Sequence, residues 1–128
     1  MKDILKYQFG IEKEFKFKKE GRKIYLFENN ELVAVLNPRF GLFTVFKNFG
    51  KHLLENKKFI RIKSGDFEFI KKSKNIFKCN IIEIGDFGIF EDIAIIDEKN
   101  KIVGIGKTRI SSEEFYNSKK GIVAKVRL

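Results

Sequence analysis

The chain has few of the residues on which most enzymes and secreted proteins depend. Its one cysteine, Cys79, excludes an internal disulfide and any multi-cysteine zinc site, and fits a reducing cytoplasm. Cys79 lies in an apolar stretch read as strand, so it is expected in the core. Its one histidine, His52, stands beside Leu53 and Leu54 on a predicted helix, where a lone imidazole packs rather than reacts. Hydrolases, transferases and nucleases need a nucleophile with a base, a pair of carboxylates or a metal cluster, and no such set occurs at motif-like spacing. Glu91-Asp92 and Asp97-Glu98 are adjacent acids in turns, read as solvated. No catalytic activity, metal or cofactor is expected. No segment approaches the roughly 18 uninterrupted apolar residues of a membrane span, and Met1 to Phe9 carries charges where a signal peptide is apolar. A soluble cytoplasmic protein without a membrane partner is the expectation.

Apolar mass and positive charge are both plentiful. In 128 residues, 43% hydrophobic content with 15 phenylalanines supports a real core, so the 34% charged fraction describes a surface and not a disordered chain. The 27 Lys+Arg against 17 Asp+Glu leave +10, which favours a polyanionic partner. Placement is segregated. Lys57 to Ile82 holds eight basic and two acidic residues, Glu83 to Glu98 six acidic and no basic, and Lys99 to Leu128 eight basic and two acidic. If the first and last strands of this half pair in a nearly closed small barrel, the basic blocks merge into one face and the acidic block falls opposite. The competing reading is that these lysines only solvate strand edges.

Periodicity supplies the elements. Asp3 to Phe9 is amphipathic, and Ile11, Phe15 and Phe17 alternate with charges as in a half-buried strand. Lys23 to Phe27 and Leu32 to Leu36 flank Asn29-Asn30, a hairpin signal. The single proline, Pro38, breaks the strand before Leu42 to Phe46, and a short helix follows with Phe49, Leu53 and Leu54 on one face. Phe59 to Ile62 is a brief strand. Asp66 is placed to cap a helix that turns Phe67 and Ile70 inward and ends at Lys71 and Lys72. Asn75 to Ile84 reads as one long β-branched strand, followed by strands at Asp92 to Ile96, Ile102 to Ile110 and Gly121 to Leu128. A helix opening at Ser111, with Glu114 at capping-box spacing, separates the last two. Gly104-Ile105-Gly106-Lys107-Thr108 has the Lys-Thr ending of a phosphate loop, but Lys101 stands where the first glycine belongs and the stretch reads as strand.

Asn100 to Arg127, with Gly106, Ser111 to Phe115 and the Gly121 to Arg127 strand, resembles the end of a PUA domain. Lys74 to Ile81 resembles that family's Asn-Val-Phe-like second strand, and Asp92 matches the acid opening the next one. Upstream, Lys6 to Gly10, the hairpin, Phe40 to Phe46 and Gly50 resemble the domain preceding PUA in archaeal tRNA-guanine transglycosylases and archaeosine synthases. The resemblance covers nearly the whole chain without the catalytic barrel. It implies a mainly β α+β fold: a pre-PUA-like antiparallel α/β unit at 1–56, then a PUA mixed pseudo-barrel with two short helices at 57–128. It also implies a non-catalytic module that binds RNA, tRNA by its acceptor stem and 3′ end, as accessory to a separately encoded tRNA-modification or processing enzyme. The residues falling on the family's groove are Lys71, Lys72, Ser73, Lys74, Asn75, Phe77 and Lys78, with Lys125 and Arg127 as neighbours. The family has Gly where Ser73 stands, so either the loop is reshaped or Ser73 supplies a hydroxyl contact. The rival is a protein-docking subunit of an RNA-modification or ribosome-biogenesis complex, favoured if Phe40, Phe43 and Phe46 form an exposed apolar patch.

Overall fold

A computed structural model describes residues 2–39 and 41–127. Helix α1 (Lys2–Phe9) leads into strands β1 (Lys16–Glu20), β2 (Lys23–Glu28), β3 (Glu31–Asn37) and β4 (Leu42–Val45), an antiparallel meander in chain order. Asn29 and Asn30 both have positive φ, 51° and 66°, as a tight two-residue hairpin turn requires. A 3-10 turn at Lys47–Phe49 then opens helix α2 (Gly50–Glu55). Leu5, Phe9, Phe49 and Leu53 from the helical segments meet Leu26, Leu36, Phe43 and Val45 on one face of the sheet. The expected strand around Ile11 to Phe17 is displaced. Ile11 and Phe15 reach this core from an extended lead-in, pairing starts only at Lys16, and all five residues of β1 are exposed because it is an edge strand lying beyond the core.

Strands β5 (Phe59–Ile62), β6 (Asn75–Phe77), β7 (Ile81–Ile84), β8 (Asp92–Ile96), β9 (Ile102–Thr108) and β10 (Ile122–Arg127) form a second sheet in the order β6-β10-β9-β8-β5-β7. β5 and β8 run parallel and the other pairs antiparallel. Helix α3 (Phe67–Ser73) follows β5, and α4 (Ser112–Asn117) separates β9 from β10. The two edge strands, β6 and β7, are consecutive in the chain and joined only by a 3-10 turn at Lys78–Asn80, so the sheet must curl back on itself into a half-barrel. Ile60, Ile62, Ile70, Ile76, Ile93, Ile95 and Val126 fill it. The architecture is mainly β within the α+β class.

That seam overturns four sequence expectations for one physical reason. Buried Asn80 accepts the Phe77 amide at 2.9 Å through Oδ1, donates to Asp66 Oδ2 at 3.2 Å, and accepts the Lys63 amide at 2.9 Å through its carbonyl. Asn75 to Ile84 is therefore two strands and a turn. Cys79 is exposed on that turn rather than in the core. Asp66, its carboxylate engaged by Asn80, makes no side-chain cap on α3. β5 pairs with β7 and β8, and not with the last strand.

Strand β8 of the second sheet, in which every residue is buried, serves both cores. Ile93 and Ile95 face the half-barrel, whereas Ala94, with Ile105 of β9, joins the core of the first sheet. A Cβ on Gly106 would stand 2.9 Å from the Lys125 carbonyl oxygen and 3.2 Å from Ile95 Cδ1, so the Gly104 to Thr108 stretch is close-packed strand and no phosphate loop. His52 is 3% exposed, and its Nε2–H donates to both Glu28 carboxylate oxygens at 3.0 and 2.9 Å, beside the Phe15 and Phe49 rings. Phe43 is 3% exposed and Phe46 41%, while Phe40 lies outside the described residues, so Phe43 contributes nothing to an exposed apolar patch. No described helix is long and apolar enough to cross a membrane.

Candidate nucleic-acid interface

Helix α3 is amphipathic, with Ile70 fully buried and Lys71 and Lys72 exposed in its last turn, where positive charge complements the helix dipole. Lys74 ends the helix in the left-handed conformation, φ 59°. Its amide donates to the Ile70 carbonyl at 2.8 Å and its carbonyl accepts the Val126 amide at 2.9 Å, which fixes the turn against β10 while its side chain stays exposed. Positive φ thus falls on Lys74 and not on Ser73. The Ser73 hydroxyl is used inside the loop, accepting the Asn75 amide and donating to the Asn75 carbonyl, each at 3.2 Å. Asn75 lies opposite Lys125, which in turn lies opposite Lys107, so three adjacent strands place these residues in one row. Asn75 Oδ1 is buried with no donor in reach among the described residues. Lys71, Lys72, Lys74 and Lys125 have no ion-pair partner among the described residues, whereas Lys107 lies 4.0 Å from Asp92 Oδ1.

The other sequence-derived positions behave differently. Phe77 is half-buried with its ring 6.0 Å from that of Phe69, which is 53% exposed on α3. Sequence reasoning missed Phe69, although its place off the Phe67–Ile70 stripe marks it as outward-facing. Lys78 Nζ donates to the Phe115 carbonyl at 2.6 Å and to the Ser118 carbonyl, and lies 4.8 Å from the Phe115 ring centre, so it ties down the end of α4. Arg127 donates to the Val45 carbonyl at 3.2 Å and stands 3.6 Å from Asp92 Oδ1, bracing the first sheet against the second. Asp92 is held at the same junction by Gln8 Nε2 at 3.3 Å. Burial pushes its carboxyl pKa up, against the opposing pull of Lys107, Arg127 and Gln8. The acidic block is largely engaged: Glu83 pairs with Arg61 and Glu91 with Lys58, each at 2.9 Å, and Asp97 Oδ1 accepts the Lys99 and Lys101 amides of its own turn. Among the described residues, no three His, Cys, Asp or Glu side chains gather as a metal site would need.

The family model for the PUA domain matches residues 58–127, which takes in the half-barrel, the α3–β6 turn and the lysines beside it. The chain belongs to the PUA domain family. An uncharacterised protein of Methanocaldococcus jannaschii is 39% identical over 85 residues, covering 62% of this chain and 18% of its own length. The chain thus spans under a fifth of that relative. A solved protein of unknown function superposes with a TM-score of 0.77 at 21% identity, over 99% of this PUA chain and 44% of the other. A PUA domain protein from Thermoplasma acidophilum superposes at 0.68 and 13% identity, over 98% and 82%. A chain of an H/ACA ribonucleoprotein bound to a substrate RNA superposes at 0.55 and 19% identity, over 68% and 26%. At these identities the likeness is one of fold.

Proposed function

We propose that this PUA chain is an RNA-binding module that holds structured RNA, namely tRNA by its acceptor stem and unpaired 3′ end, for a separately encoded modification or processing enzyme, and performs no covalent step itself. The reading divides the chain into a preceding unit at 1–56 and the PUA domain at 57–128. The observation that carries it is the α3–β6 turn, where Lys71, Lys72 and Lys74 are exposed with no ion-pair partner among the described residues, beside Asn75 and Lys125. Lysines neutralise phosphates, and an unpaired end exposes base edges and 2′-hydroxyls that an amide can read. A similar fold in an RNA-bound ribonucleoprotein supports the class of ligand.

Binding of purified protein to bulk tRNA and to duplex DNA of similar length, each at two salt concentrations, tests this. Salt-sensitive binding that prefers tRNA and weakens when the 3′ end is trimmed is expected. Indiscriminate or absent binding would overturn it.

A further inference from the structure

The face of the four-stranded sheet turned away from α1 and α2 carries a second, separate pattern. Register places Lys18, Tyr25, Val35 and Thr44 in one row across all four strands, and Lys16, Phe27 and Leu32 in the next. These rows alternate with the core-facing residues Ile24, Leu26, Ala34, Leu36, Phe43 and Val45. Tyr25, Phe27, Leu32 and Val35 are only partly buried and belong to neither hydrophobic core, so the face has apolar character with no second layer over it among the described residues. Lys16 and Lys18 are exposed, have no ion-pair partner among the described residues, and stand directly opposite the two rings. No acid falls in either row.

We propose that this face is a stacking platform for an extended, unpaired RNA strand. Rows two residues apart along a strand are about 7 Å apart, so the Lys16–Phe27 and Lys18–Tyr25 pairs present a cation and a ring twice in succession. Successive nucleotides of an unstacked strand present a phosphate and a base in the same order, and every base has a face to lay on a ring. The charge selects a polyanion, and the paired rings select bases over a featureless acidic chain. The surface is distinct from the α3–β6 turn, so the two can fail independently.

Fluorescence anisotropy of a labelled 12-nucleotide oligouridine with the full chain tests it. Lys16→Glu with Lys18→Glu, on an exposed edge strand, is expected to weaken binding at least tenfold with an unchanged circular dichroism spectrum. Tyr25→Leu with Phe27→Leu, which keeps apolar bulk, is expected to cost about tenfold. Lys71→Glu with Lys72→Glu and Lys74→Glu should leave oligouridine affinity within about threefold while weakening tRNA. The proposal is overturned if the native chain does not bind oligouridine, if the sheet variants bind like the native chain, if only the turn variant loses binding, or if polyglutamate competes as well as RNA.

Discussion

Glu28→Gln should lower stability at neutral pH, and the loss should vanish in acid. Burial alone would raise the Glu28 pKa, but hydrogen bonds from Lys13, Lys51 and His52 outweigh it and hold the carboxyl at about 2, against an ordinary 4.5. That gap corresponds to roughly 3 kcal/mol of preference for the charged form in the folded state. The side chains of Lys13 and Lys51 are about half exposed, at 53% and 50%, so solvent screening trims the expectation to about 2 kcal/mol. In a domain of this size that is a fall in Tm of about 6–10 °C at pH 7. A depressed carboxyl pKa contributes stability that is present above 4.5 and lost as pH falls through about 2. The difference between native protein and variant should therefore shrink across that window, while other carboxylates titrate equally in both. Thermal unfolding followed by circular dichroism at pH 7, 4 and 2 reads it directly. A Tm difference under about 2 °C at pH 7, or one undiminished at pH 2, would refute the assignment.

Charge reversal at Lys71, Lys72 and Lys74 should weaken tRNA binding and flatten its salt slope by about 2 to 3, whereas Lys99→Glu should do little; equal effects would sink the turn as a binding surface. Lys13 is a poor control because its ammonium bonds Glu28 at 2.9 Å, so reversal there would act through stability. Gly85→Ala should cost about 3 kcal/mol or more, because the new Cβ would lie 1.9 Å from the Lys57 carbonyl oxygen, which is backbone and cannot swing away; a melt within 2 °C of native would contradict this. Cys79 should react with a thiol reagent in the folded state, without denaturant, as its place on the 78–80 turn requires. Slow reaction that speeds up only on unfolding would return it to the core.

Local signals identified the elements that local chemistry controls. Asn29-Asn30 made its hairpin because consecutive residues tolerant of positive φ leave few other turns. Ser111 Oγ accepts the Glu114 amide at 3.2 Å, so α4 starts where its cap was read. Reading failed where a distant partner decides. Nothing within Asn75 to Ile84 says that Asn80 will bond Asp66, 14 residues back, and bend the run into a turn. Nor did the alternation at Ile11 to Phe17 reveal that the residues after Phe15 pass beyond the edge of the core.

The binding surface obeys the same division, with charge in place of shape. A lysine in a sequence is only a lysine, and Lys78 looks no different from Lys74. Carbonyls of Phe115 and Ser118, 37 and 40 residues away, hold the first, whereas the second, exposed at a helix end, keeps its charge for a ligand. The acidic block was expected to face away from the basic ones. Much of it is instead consumed by them, through Glu83 on Arg61, Glu91 on Lys58 and Asp92 between Lys107 and Arg127. Those pairings subtract cations from the strands and leave the end of α3 with consecutive lysines uncompensated. The net charge therefore understates the contrast that a phosphate backbone would meet. Compensated pairs add little to the local field, whereas Lys71, Lys72 and Lys74 keep their charge on the turn that carries Asn75.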